Sequence, residues 1–305
     1  MSVNISYTDT WKLQFDNVYT TNNSSIWYVY KDGLCGVYNS DTLSFLIPME
    51  YDEVSQTYFH GLWWIKKNGL TGIYDSTITS VVLPLEYLDG CTIATSLFKV
   101  YKISGWGMYD STTNTFVLPV KYKSISFCFS DLWIVEKMDG GMNVYNYATG
   151  NFLLPVWHDQ VVHTHSADLW WVMNKDTRVW GLYSISATSF VLPMKYDNLT
   201  NINYILWVVE KDSKHGVYDI VTSSLILPIE YDNIWGTKHK YMWVVKKDGG
   251  CGLYNSNLNT IVVPLKFNKV EETACSYLWQ VWKRKKWGVY DYHMGTYLFP
   301  LKKVA

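Results

Sequence analysis

The densest group of side chains capable of chemistry is His158, His163 and His165, with Asp168 nearby. A His-x-His step on a strand places both rings on one face, where neutral imidazoles can chelate zinc or copper. The remaining ligands would have to come from elsewhere in the chain; a polar loop between strands accounts for the same residues. Carboxylates recur at Asp16, Asp52, Asp197 and Asp232. Paired acids that cleave a glycosidic bond need two different environments. Acids repeated at one phase of the chain read first as turn-forming residues. Ser, His and Cys never assemble into a local nucleophile signature, and no phosphate-cradling glycine loop is written in the sequence. No catalytic residue, metal or cofactor is assigned, and the chain is expected not to be an enzyme.

Three further sets of residues could recognise a ligand, the first two of them periodic. Lysines stand at Lys31, Lys67, Lys102, Lys137, Lys211, Lys247 and Lys283, each closing an apolar strand. At equal heights around a ring they would form a basic circle able to hold an anion or acidic partner; alternatively each snorkels over a neighbouring aromatic ring. Hydroxyls at Thr21, Thr57, Thr164, Thr237 and Thr273 would line a rim or channel, or simply serve strand propensity. Trp64, Trp171, Trp235 and Trp282 lie outside the regular tryptophan positions, which makes them the candidates for stacking on a sugar face.

The elements that must position these residues follow from one recurring block. A tyrosine appears at Tyr38, Tyr74, Tyr109, Tyr145, Tyr183, Tyr218, Tyr254 and Tyr290, and ten residues after each comes one of the chain's 8 prolines. Coincidence of every proline with one phase marks a repeat array with a period of about 36 residues. Before each tyrosine runs a strand with an aromatic and a β-branched residue two apart, such as Trp63/Ile65 or Trp207/Val209. The residue between them is apolar in most repeats, so both faces are oily, as a sheet packed between two others requires. Asp32-Gly33, Asn68-Gly69, Asp139-Gly140 and Asp248-Gly249 then supply hairpin turns. The fourth repeat departs most, with Asn143 where a glycine stands elsewhere.

The chain is therefore all-β, a single domain over residues 1–305 built of eight units. It opens with Phe15-Asp16-Asn17-Val18, which matches the tail of a repeat, and the eighth repeat lacks that tail. This complementarity predicts a closed toroid, an eight-bladed β-propeller-like ring whose N-terminal residues 1–18 complete the last unit. The alternative is an open β-solenoid. A net charge of −1 gives no reason to expect nucleic acid or an anionic membrane as partner, and no apolar stretch is long enough for a membrane span. The 5 cysteines lack metal spacing, and Cys35 and Cys251 share one slot, as small apolar residues at a buried position would. A reduced, cytoplasmic setting and a monomer are expected.

The repeats resemble the WG-repeat, or KWG-repeat, family. Gly105-Trp106-Gly107-Met108-Tyr109-Asp110 and Lys286-Trp287-Gly288-Val289-Tyr290-Asp291 match it most strongly, with Val179-Trp180-Gly181-Leu182-Tyr183 close behind. The resemblance covers about Phe15 to Pro300, and most repeats depart at the tryptophan, as at Cys35, Thr71, Met142, His215 and Cys251. It implies a β-rich scaffold with an interaction role and supplies no catalytic residues. The function expected is a non-catalytic binding scaffold that presents its loops to a protein partner; the alternative is a multivalent carbohydrate-binding lectin.

Overall fold

A computed structural model describes residues 7–94, 96–164, 166, 168–202 and 205–303. It is all-β, with strands joined as antiparallel meanders and no α-helix among the described residues. Repeat 2 shows the pattern: Glu53–Gln56, Leu62–Lys67, Leu70–Asp75 and Ser80–Tyr87 pair in sequence order. Six such four-stranded sheets are present. Repeats 3 and 4 instead form one seven-stranded sheet, because Thr115–Phe129 runs unbroken as the last strand of one and the first of the other. The chain divides into two compact bodies, 1–153 and 154–305. That boundary falls inside the fourth repeat, where the uninterrupted sequence phase gives no sign of it.

Side chains recurring in each repeat hold its turns. The aspartate after the aromatic of one repeat accepts the amide of the next hairpin turn: Asp16 from Asp32, Asp52 from Asn68, Asp197 from Asp212. The residue after each repeat tyrosine caps the following turn, as when Asp75 accepts from Thr77 and Asp219 from Val221. Glycine in the third strand has a steric cause. A Cβ on Gly72 would lie 2.6 Å from the Leu83 carbonyl oxygen of the fourth strand, and one on Gly252 would lie 2.5 Å from that of Val263. There the ladder skips: Ile73 pairs with Leu83, and pairing resumes at Thr71 with Tyr87, past Pro84. Proline thus lies on the sheet's last strand, in the unpaired bulge, where a missing N–H costs no ladder bond. Repeat 4 tests the rule: with Asn143 in place of glycine, its fourth strand shrinks to Asn151–Phe152.

Each sheet has two apolar faces. Trp63, Ile65 and Tyr74 of repeat 2 pack on Cys35, Val37 and Ile47 of repeat 1, and the opposite face, with Ile73 and Leu83, packs on Phe98 and Val100 of repeat 3. We call these the leading and trailing faces. The same contact recurs between repeats 5 and 6, 6 and 7, and 7 and 8. Complete burial of Trp170, Trp207 and Trp279 explains why an aromatic is required at that phase. A fully buried apolar side chain contributes about 1.5–3 kcal/mol or more.

The chain ends correct one expectation. Asn17–Thr20 pairs with Ile26–Lys31 in the first sheet, and the last sheet already holds four strands of its own, Lys269–Glu272 through Thr296–Lys303. Residues 1–18 therefore do not complete the last unit; residues 1–6 lie outside the described residues. The error came from placing the repeat boundary before the tryptophan strand, whereas each sheet opens one strand earlier. A 3-10 helix, Tyr7–Gln14, follows the same logic: Trp11 stacks on Tyr38 at 5.0 Å and meets Trp27 edge-on at 5.5 Å, so the leading face of the first sheet receives this segment.

Candidate functional site

The carboxylates and hydroxyls that sequence periodicity put forward are committed to the backbone. Besides the turn bonds above, Asp232 accepts from Lys214 at 2.5 Å, which holds its carboxyl below the usual range. Thr21, Thr57, Thr164, Thr237 and Thr273 staple the loop between the first and second strands. Each hydroxyl donates to the carbonyl five residues on at 2.6–2.9 Å and accepts from the amide two residues on, as at Thr57 with Leu62 and Phe59. These hydroxyls close loops and form no polar rim.

The histidine group also resolves into separate roles. His158 occupies the buried aromatic slot of Tyr51 and Tyr231 and stands edge-on to Phe190. Burial pushes its pKa down, despite the opposing charge of Asp159, so the ring is neutral there. His163 lies on a first strand, edge-on to Trp170 at 5.3 Å. Asp168 repairs a local defect. Ser184 stands where other repeats carry the capping Asp or Asn, and Asp168 accepts from the Ser184 hydroxyl at 2.7 Å and the Ser186 amide at 2.6 Å. Burial alone would raise its pKa, but these bonds outweigh it and the carboxyl is held low. His165 lies outside the described residues, and no metal-ligating cluster occurs among those described.

The lysine series behaves as a set of strand-end links. Lys102 reaches Glu86 of the preceding repeat at 2.7 Å and lies 4.7 Å above the Tyr87 ring; Lys247 reaches Glu230 at 2.9 Å. Lys67 lies 5.9 Å from the Tyr51 ring. The partner slot holds Glu50, Glu86 and Glu230 but Lys121, Lys195 and Lys266 in other repeats, so the series is not uniform. Lys31, Lys211 and Lys283 are exposed, and Lys137 is half-buried.

Of the off-phase tryptophans, Trp64 bonds Thr92 through its indole N–H at 3.1 Å and packs edge-on to Phe98, which makes it an inter-sheet contact. Trp235 is 45% exposed, and Trp282 is half-buried beneath the Lys269 ammonium. Trp171 alone among the four lines a large cavity. That cavity, about 620 Å³, lies between repeats 5 and 6, with Thr164, Leu169, Asn201 and Trp207 on its wall. Trp171 and Trp207 meet edge-on at 5.7 Å, and neither buried indole N–H has an acceptor among the described residues. Trp207 lost its acceptor because Ile220 stands where Ser76 and Ser256 receive the N–H of Trp63 and Trp243. A second cavity, also about 620 Å³, follows between repeats 6 and 7, lined by Ile205, Thr237, Tyr241 and Met242. Sequence periodicity missed both, since they arise where apolar loop residues hold successive loops apart.

No family model matches the chain, and no curated protein matches it. Solved structures similar to it include the eukaryotic initiation factor, at 10% identity over 94% of this chain and 87% of that one, with a TM-score of 0.32. The computationally designed Ika8 protein aligns at 12% identity over 90% and 95%, with a TM-score of 0.28. The dihydro-heme d1 dehydrogenase NirN in complex with DHE aligns at 13% over 92% and 74%, also with a TM-score of 0.28. None reaches a score from which a shared fold follows. Among the described residues no helix is long and apolar enough to cross a membrane.

Proposed function

We propose that the chain is a non-catalytic binding protein that presents the loops of its repeats to a protein partner, in keeping with its resemblance to WG repeats. One observation carries this reading. Thr164 and Thr237 of the loops over the two cavities bond within their own loops, while Ile202, Ile205 and Tyr241 at the rims are 38%, 46% and 45% exposed. Apolar side chains displayed around concave surfaces suit recognition, where a partner's anchor residue fills the hollow. Affinity purification from the protein's native cells, with the wild type beside Ile205→Asp/Tyr241→Asp, tests it. Partners enriched on the wild type should be lost on a variant that melts normally; equal recovery on both overturns the reading.

Carbohydrate binding is the second reading, favoured by the cavity that pairs Trp171 and Trp207 with Asn201. Glycan binding that disappears in Trp171→Ala would establish it over the first. The sheets stack face to face as a β-repeat array, of which the closed ring and the open solenoid are the two forms; small-angle scattering of a disc-shaped particle would favour the ring and of a rod the solenoid. A reducing compartment such as the cytoplasm suits the five cysteines, none of which is bridged.

A further inference from the structure

Seven repeats act as internal controls for the eighth. At the third-strand position of the trailing face, Val37, Ile73, Met108, Val144, Leu182, Val217 and Leu253 are all 0% exposed, whereas Val289 is half-buried. At the fourth-strand position, Ile47, Leu83, Leu118, Leu154, Leu192, Leu227 and Val263 are at most 3% exposed, whereas Phe299 is 58% exposed and Trp287 beside it 37%. The composition of this repeat also changes. Residues 266–303 hold eight Lys and Arg against three Asp and Glu, in a chain whose formal charge is −1. Lys283 and Lys286 close a hairpin whose two turn residues, Arg284-Lys285, stand where sister turns carry Asp32-Gly33, Asn68-Gly69 and Asp248-Gly249. Arg284 takes a positive φ of 55° there, the conformation Asp32, Asn68 and Asp248 adopt in sister turns, which costs a non-glycine side chain some strain. Its amide is still held by Asn268, so the turn keeps its shape while its acids are replaced by bases.

We propose that the trailing face of the eighth sheet, together with its basic turn, docks a partner protein that supplies an apolar strand or sheet face edged with carboxylates. The sister faces described above show what fits this surface: at each of the five junctions they are covered by aromatic and β-branched side chains of another sheet. Lys302 fills a slot that holds Glu50, Glu86 and Glu230 in three repeats and Lys121, Lys195 and Lys266 in three others, so the basic excess of this end lies in Arg284 and Lys285 of the turn, and the occupant brings the negative charge. A second copy is disfavoured, because two such faces would juxtapose two basic turns, and the copy's first leading face already carries Trp11. Nucleic acid would need cations tracking along its backbone, whereas here they gather at one end of an apolar face.

The surface is separate from the loops over the cavities, so this proposal can fail without affecting the one above. The test uses the full chain and a synthetic hairpin peptide with valine and tryptophan on one face and glutamates in its turn. Titration should give saturable binding that weakens with salt. Phe299→Ser and Arg284→Glu/Lys286→Glu should each weaken it at least about tenfold while leaving thermal unfolding unchanged, since the altered side chains are exposed. The same peptide with lysines in place of glutamates should not bind. Absence of binding, or binding untouched by both variants, overturns the proposal. Tighter binding of an oligouridylate or of phosphatidylserine vesicles through these residues would assign the face to another class of partner. Self-association abolished by Phe299→Ser would assign it to a second copy.

Discussion

The first and eighth sheets are built on one template, yet their outward faces are finished differently. On the first, the leading face that carries Trp27 and Tyr38 is covered by a short 3-10 segment, with Trp11 against both rings and Phe15 against Tyr38 and Phe45. On the eighth, the trailing face keeps the apolar pattern of a covered surface, yet Phe299 is 58% exposed among the described residues. The first end resembles the capping that terminal repeats need for solubility. The second meets solvent with charge instead, through its lysine-rich turn. A sheet face that is oily and exposed, with cations gathered at one end, behaves as an interface rather than as a finished end.

The largest effect should come from setting the two faces of the eighth sheet against each other. Trp279, on the leading face, is 0% exposed and packs into the seventh repeat. Trp279→Ala should destabilise by about 3–5 kcal/mol, the range for buried aromatic deletions. Phe299→Ala, on the other face of the same sheet, should stay within about 0.5 kcal/mol, as exposed positions do. Urea unfolding of the two variants measures the difference, and equal losses would mean that the trailing face is covered after all.

The cap at the first sheet should matter less. Trp11→Ala removes one stacked and two edge-on ring contacts at a half-buried site, each worth about 0.5–1.5 kcal/mol, so a loss of about 2–3 kcal/mol is expected. It should also raise the accessibility of Trp27, read as a red shift and stronger quenching of tryptophan fluorescence. An unchanged melt would show that the segment merely rests on the sheet.

How far these features could be read in the sequence divides along the same line. Strand phase, turn chemistry and the two-faced oiliness were legible because each leaves a local mark: alternation around Trp63/Ile65, Asn-Gly at Asn68, proline at one phase. The reason for the third-strand glycine was not, since it depends on the approach of Leu83 and Val263 carbonyls from the next strand. Among candidate residues, the lysines lay nearer the strand-end snorkelling alternative than a basic circle, as Lys102 on Tyr87 shows. The Thr series proved to be loop staples. Of the four off-phase tryptophans, Trp171 lines a cavity of about 620 Å³ and Trp64 one of about 180 Å³, because neighbouring loops decide whether an off-phase ring is packed or displayed. Which face lacks a neighbour is a property of the assembled array. Sequence carried only its trace, in Lys303 at a slot where seven repeats place an aromatic ring.

That slot yields the smallest and most specific prediction. In repeats followed by another sheet it holds Phe, Tyr or, once, His158, whose ring is buried and kept neutral. A base whose folded pKa is depressed binds fewer protons folded than unfolded, so its contribution is intact above the unfolded value of about 6.5 and is lost as pH falls through the folded one. Stability of the wild type should therefore decline below about pH 6.5, before carboxylates titrate. His158→Tyr, which restores the commonest occupant, should remove that decline while changing stability at pH 8 by less than about 1.5 kcal/mol. Unfolding midpoints of the two proteins between pH 8 and about pH 5 decide the matter. Parallel curves would show that His158 reaches water and that its slot tolerates charge.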